Sequence, residues 1–245
     1  MCHQGLIEIL LDAKKIVALT GAGISAESGI PTFRGSGGLW EGYPVEKVAT
    51  VEGFERDPEL VWRFYDEMRI NIARAEPNEA HMVLAKMENH YDLWVITQNI
   101  DGLHTRAGSR NVIELHGNIW RTKCTECGRV DYNYDVPLRE IPPKCGKCGG
   151  LLRPDVVWFG EPVYDADKAY KLSEECDVMF VIGTSAQVYP AAYLPRVAWS
   201  HGAKIVEINL EKTPVSRYAD FVIRKPATVA MREIYQGLLG AFQGE

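Results

Sequence analysis

Short apolar runs alternate along the chain with stretches of helical periodicity. Ile16–Thr20, Leu93–Thr97, Val112–Leu115, Val178–Ile182, Lys204–Ile208 and Phe221–Ile223 read as strands. Continuous runs of this length, rich in β-branched residues, suit strands buried on both faces of a parallel sheet. Between them, Leu6–Ala13, Glu59–Ala75, Asn78–Asn89, Ala166–Cys176 and Val229–Phe242 carry helical spacing. The pattern predicts an α/β fold with a doubly wound parallel sheet. Most of the strands end in a glycine-rich or polar group: Gly21-Ala22-Gly23, Gln98-Asn99-Ile100-Asp101, His116-Gly117, Gly183-Thr184-Ser185 and Asn209-Leu210-Glu211. In such sheets ligands bind beyond the carboxyl ends of the strands.

Two insertions interrupt the plan. The expected organisation is a Rossmann-type domain from 1–35, 91–117 and 156–245, a loop and helical insertion at 36–90, and a four-cysteine module at 118–155. The insertions predict a small lobe beside the large one, with a cleft between them. With 245 residues and 46% apolar content the chain can bury a substantial core. Its net charge of −6 gives no general electrostatic reason to bind nucleic acid. No apolar run approaches the ~20 residues that cross a bilayer, and the N-terminus does not read as a signal peptide. A reducing, cytoplasmic compartment is expected.

Cysteine spacing changes the picture of 118–155. Cys124-x-x-Cys127 and Cys145-x-x-Cys148 are spaced as in a zinc ribbon. Glycines at 128, 146, 149 and 150 let the chain fold tightly around each pair. Four thiolates fill a tetrahedral zinc shell and leave no position for a reacting water, so the expected metal is structural. Two disulfides are the alternative, disfavoured by the expected compartment. Cys2 and Cys176 show no metal spacing.

Gly21-Ala22-Gly23-Ile24-Ser25-Ala26 fits G-x-G-x-x-A, a dinucleotide-loop pattern in which glycines let the backbone approach a pyrophosphate. The pattern alone is weak, because the acidic residue expected about 20 residues on is missing from a second strand end. Glu41 and Glu46 lie at that distance in loop-like sequence, and Glu211 could take the role instead. A plain hydride-transfer dehydrogenase is therefore disfavoured.

The stretch from Gly21 through Pro31-Thr32-Phe33-Arg34 to Gly38-Leu39-Trp40 resembles the sirtuin family, NAD-dependent protein-lysine deacylases. The resemblance continues through Thr97–His104, Ala107-Gly108-Ser109, Glu114-Leu115-His116-Gly117, the four cysteines, Val156-Val157-Trp158-Phe159-Gly160-Glu161, Gly183-Thr184-Ser185 and Ile208-Asn209. It implies transfer of an acyl group from lysine to the ADP-ribose part of NAD, with release of nicotinamide. His116 matches the general base, and an ordinary imidazole can accept a proton at neutral pH. Asn99 and Asp101 match a catalytic polar pair around nicotinamide; an Asx-type turn is the plainer reading, and both can hold. The resemblance assigns NAD contacts to Gly21, Ala22, Gly23, Ser25, Glu27, Phe33, Arg34, Trp40, Gln98, Asn99, Ile100, Asp101, Gly183, Thr184, Ser185, Asn209, Leu210, Glu211 and Ala227, the last in a segment that departs from the family pattern. Of the other histidines only His104 gains support, as a residue that structures the Asn-x-Asp loop.

Acyl-lysine proteins or peptides are the implied partners. Val156, Val157, Phe159 and Gly160 would meet an extended peptide and its acyl-lysine, largely through backbone pairing. A subgroup of the family that removes acidic acyl groups carries Tyr-x-x-Arg on a helix. Here Tyr65 is present, Met68 stands where arginine is expected, and Arg69 comes one residue late. One residue on a helix is a rotation of about 100°, so Arg69 should point elsewhere. The expectation is a deacetylase with succinyl and malonyl groups disfavoured. Mono-ADP-ribosyl transfer to a protein is the alternative at the same NAD site. A nucleic-acid-binding zinc module and a zinc hydrolase are disfavoured, the first by its mixed charges and the second by the closed ligand set.

Overall fold

The computed structural model describes residues 4–32, 39–40 and 42–243. The chain begins with α1 (Gln4–Asp12) and β1 (Lys15–Thr20), then a 3-10 segment at Ala22–Ser28. The first insertion holds β2 (Leu39–Trp40), β3 (Tyr43–Pro44), α2 (Val45–Val48), α3 (Val51–Arg56) and α4 (Pro58–Ala73). Next come α5 (Glu79–Met87), β4 (Asp92–Thr97), α6 (Leu103–Arg106) and β5 (Val112–Glu114). The cysteine module supplies β6 (Gly117–Cys124), β7 (Val130–Tyr132) and β8 (Leu152–Val156). The chain closes with α7 (Ala166–Glu175), β9 (Val178–Ile182), α8 (Leu194–Ser200), β10 (Lys204–Ile208), β11 (Phe221–Ile223) and α9 (Ala227–Gln243).

Six parallel strands form one sheet in the order β11-β10-β9-β1-β4-β5. From β1 the chain moves outward through β4 and β5, then returns to β9 on the other side. The strand order therefore reverses between β1 and β9, where Thr20 lies opposite Ile182. That reversal opens a crevice at the carboxyl ends of the two strands. Both faces are buried, as the unbroken apolar runs require. Ile16, Ala18, Val178 and Phe180 pack under α1, α5 and α9, while Val17, Leu19, Met179 and Val181 pack under α7 and α8.

A second core lies outside the sheet. Trp62, Phe64 and Tyr65 of α4 pack with Ile119, Trp120, Val156 and Trp158 of the cysteine module. The first insertion and the module thus share one small lobe, whose strands pair antiparallel in the order β7-β6-β8. Buried Arg69 ties the two parts. It donates from Nη2 to the carbonyls of Asn133 at 2.6 Å and Asp135 at 3.0 Å, and its guanidinium lies 5.2 Å from the Trp120 ring.

One boundary read from sequence moves. The helical insertion at 36–90 included α5, but Ala80, Val83, Leu84 and Met87 pack into the core under the large sheet. The apolar face of α5 has the sheet as its partner, so the insertion ends before Asn78, the α5 N-cap. Among the described residues no helix is long and apolar enough to cross a membrane.

Candidate active site at the carboxyl edge of the sheet

The four cysteines come together first. Their Sγ atoms all lie within 4.8 Å of one another, with Cys124 and Cys148 at 3.5 Å and Cys127 and Cys145 at 3.8 Å. A tetrahedron with metal–sulfur bonds of about 2.3 Å has edges of about 3.8 Å, so the set fits zinc. The Cys127 and Gly150 amides point at the sulfurs of Cys124 and Cys148, at 3.5 and 3.4 Å.

The glycine loops meet at the strand-order reversal. The Gly23 N–H donates to the Gly183 carbonyl at 2.8 Å. A Cβ at Gly23 would sit 2.6 Å from the Gly183 Cα, and one at Gly183 only 2.4 Å from the Ile24 nitrogen. Gly183 also holds φ +62°, a conformation that disfavours side chains. These glycines therefore let the β1 and β9 loops touch. Gly21 belongs to the same contact, since a Cβ there would lie 2.8 Å from the Gly183 carbonyl. Ala22 opens the 3-10 segment.

A polar cluster fills the crevice beside this contact. The Ser25 hydroxyl donates to Asp101 Oδ2 at 2.7 Å, and the Leu103 N–H donates to Oδ1 at 2.9 Å. The Asn99 amide donates to the Gly21 carbonyl at 3.0 Å and to the Ser25 oxygen at 3.3 Å. Asp101 is buried, and the loss of hydration raises its pKa against the pull of those donors. Gln98 Nε2 donates to Thr184 Oγ1 at 2.8 Å, and Asn209 Nδ2 donates to the Thr184 carbonyl at 2.8 Å. The ends of β1, β4, β9 and β10 are thereby joined side chain to loop. Ile100 lies half-buried against the small lobe, with its carbonyl accepting from the Ile119 amide at 2.9 Å. Ser185, Leu210 and Glu211 are exposed around the rim.

Two histidines, His81 and His104, lie behind the cluster. The Asn78 N–H donates to His81 Nδ1 at 3.2 Å. The ring proton therefore sits on Nε2, which faces the Ser25 oxygen at 3.4 Å. His104 stacks edge-on against His81 at 4.8 Å and meets Thr20 Oγ1 at 2.9 Å. Burial holds the His81 pKa down at about 4, and His104 lies well below its ordinary value for the same reason. The only sequence signal for His81 is its place three residues after a capping Asn, where a glutamate would be the usual partner.

His116 occupies the short connection between β5 and β6. Its Nδ1 lies 2.9 Å from the Gln98 carbonyl. A carbonyl only accepts, so Nδ1 carries the proton and the Nε2 lone pair is left to act as a base. Burial lowers the pKa of this imidazole, opposed by the bond to Gln98. The His116 carbonyl accepts from the Val157 amide at 2.9 Å, which places the histidine against the stretch that follows β8. There Phe159 is 56% exposed, Gly160 holds φ +90° and Val157 is half-buried.

Several assignments made from sequence change. The Glu27 carboxylate accepts from the Thr228 hydroxyl at 2.6 Å and amide at 3.1 Å, so it caps α9. Ala227, the first residue of α9, is packed into the core under the sheet. Val156 likewise packs into the small-lobe core, and its carbonyl accepts from Arg153 Nη2 at 3.0 Å. Tyr65 is fully buried, and its hydroxyl accepts from the Trp158 indole at 2.9 Å. Met68 is half-buried on the small-lobe core, while Arg69 turns into the lobe, as the helical rotation required. Phe33 and Arg34 lie outside the described residues, and Trp40 enters as backbone of β2.

Comparison with known proteins agrees with this architecture. Residues 21–190 match the model of the Sir2 family. The NAD-dependent protein deacylase of Aquifex aeolicus is 57% identical over 226 residues, covering 91% of this chain and 95% of its own length. A crystal structure of a Sir2 homolog–NAD complex superposes with a TM-score of 0.91 at 45% identity, covering 97% of this chain and 94% of that one. A Sir2–p53 peptide–NAD+ complex superposes at 0.86 with 37% identity, covering 99% and 100%. With its doubly wound sheet, four-cysteine lobe and polar crevice, and with a family match across most of its length, the chain belongs to the Sir2 family.

Proposed function

We propose that this protein is an NAD-dependent protein-lysine deacetylase that disfavours succinyl and malonyl groups. The observation that carries the reading is His116: a half-buried neutral imidazole, its Nδ1–H donating to the Gln98 carbonyl and its Nε2 free as a base. NAD, the co-substrate, supplies an electrophilic ribose carbon and the ribose hydroxyls next to it. The crevice suits such a ligand, because the Asn99 amide and the Asp101 carboxyl, held by Gly21, Ser25 and Leu103, lie together there. In this reading Ser25, Gln98 and Thr184 orient the co-substrate, Asn209 holds the loop near its adenosine end, and His116 Nε2 takes a proton from a ribose hydroxyl. Val157, Phe159 and Gly160 receive the acyl-lysine peptide. Zinc on the four cysteines supplies a cross-link, and no step of the reaction is assigned to it.

Acyl selectivity follows from the small lobe. Tyr65 is fully buried against Trp158, Met68 offers no charge, and the Arg69 guanidinium is bound to the Asn133 and Asp135 carbonyls. A distal carboxylate would thus enter an apolar site without a counter-ion, which costs several kcal/mol. We further propose a division into the large sheet domain and the small lobe, acyl-lysine proteins as partners, no direct nucleic-acid binding, and a cytoplasmic location in keeping with four reduced thiols.

The test is one assay with NAD and matched acetyl-, myristoyl- and succinyl-lysine peptides. Wild type should release free lysine and O-acetyl-ADP-ribose from the acetyl peptide, with at least tenfold lower turnover of the succinyl peptide. His116→Ala should lose at least 100-fold in kcat. Full activity in His116→Ala would sink the mechanism. Labelling of the protein without free lysine would point instead to mono-ADP-ribosyl transfer.

A further inference from the structure

We infer that Arg121 is a positioning residue for His116, acting from the zinc-bearing lobe. The inference rests on the proposed roles of His116 and of the peptide-receiving stretch. Arg121 lies on β6, at the seam between edge strand β5 and the small lobe. Its Nη1 donates to Glu114 Oε2 at 3.2 Å and its Nε to Asp155 Oδ2 at 2.8 Å. The remaining carboxylate oxygens are also engaged. Asn118 donates to Glu114 at 2.7 Å, and the Tyr164 hydroxyl donates to Asp155 at 2.5 Å. The Glu114 and Asp155 side chains are 14% and 4% exposed, and with Arg121 and Tyr164 they line a cleft of about 410 Å³.

The two carboxylates flank the reaction site. Glu114 stands two residues before His116, and Asp155 two before Val157. The backbones they belong to touch: the Val157 amide donates to the His116 carbonyl at 2.9 Å, and the Tyr164 amide to the Leu115 carbonyl at 2.9 Å. Gly117 completes the contact at φ +82°, since a Cβ there would lie 2.1 Å from the Asp155 carbonyl. One guanidinium therefore bridges the segment that presents the base and the segment that receives the peptide. Without it, two little-exposed carboxylates share no cation, and the tie between those segments is lost. A lysine would not replace it, because a single ammonium lacks the fork that reaches two carboxylates at once. Misplacing a reacting group by about 1 Å costs on the order of 100-fold in rate.

Steady-state kinetics of Arg121→Lys test the inference, with zinc content and the urea midpoint measured on the same preparation. The expected result is a kcat at least tenfold below wild type, a KM for NAD within twofold, and one zinc retained. A triple variant, Arg121→Met with Glu114→Gln and Asp155→Asn, removes the buried charges together. It should recover stability relative to Arg121→Met alone while kcat stays low. If Arg121→Lys keeps wild-type kcat, or if kcat in both variants falls only in step with the folded fraction, the positioning role is overturned and the functional reading stands. If wild type itself shows no NAD-dependent deacylation, the functional reading fails and this inference with it.

Discussion

His81 shows how a single side chain can set acid sensitivity. It is neutral in the fold, with a pKa near 4, against about 6.5 when exposed in the unfolded chain. Between those values the unfolded state binds more protons, so stability rises with pH and falls on acidification. From pH 7.5 to 5 this one group removes about 2 kcal/mol. Urea unfolding at both pH values should show His81→Gln losing less stability on acidification than wild type; equal losses would contradict the assignment. His104, stacked on His81 and buried with it, adds to the effect in the same direction. At His116 the sequence offered an imidazole at a strand end, and the fold supplied the tautomer through Gln98.

Whole elements are held by side chains that local reading gave to the ligand. Glu27 anchors the start of α9 by two hydrogen bonds across 201 positions of chain. A carboxylate on a helix N-terminus contributes about 1 kcal/mol. Glu27→Ala should lower the urea unfolding free energy by that amount and leave the KM for NAD nearly unchanged. The reverse pattern, a raised KM at full stability, would return Glu27 to the cofactor site. On α4 the local argument was sufficient. The fixed turn of a helix placed Arg69 about 100° from Met68, and its guanidinium is buried against β6 and the loop after β7. Strands β9 and β10 begin and end where their apolar runs do, because residues buried on both faces leave no alternative register. The short α8 carries Pro195 in its first turn, where proline is tolerated.

At the scale of the molecule the small lobe depends on its cysteines. Trp62, Trp120 and Trp158 lie in one core shared by the helical insertion and the cysteine module. Zinc binding to such a module is coupled to its folding. Stripping the metal with a chelator should redden tryptophan fluorescence and abolish deacylation, while the large sheet keeps most of its far-UV circular dichroism. Cys124→Ala should behave alike. Zinc loss with unchanged fluorescence and turnover would refute a structural role. The dependence arises because β8 leads directly into the stretch that touches His116.

The sequence by itself determined the layered α/β plan, the four-cysteine set and the strand ends that gather at one edge. Each is written locally, in apolar runs, in C-x-x-C spacing and in the glycines and polar residues that stop a strand. Tertiary structure alone decided how those pieces are used. Gly23 and Gly183 are 160 positions apart, and only the return of β9 beside β1 makes them a contact. Ser25, His81 and Asp101 are likewise joined across three elements, and Glu114, Arg121 and Asp155 across two lobes. Spacing along the chain carries no record of such pairings, because they are fixed by sheet order and by which face of each helix is buried.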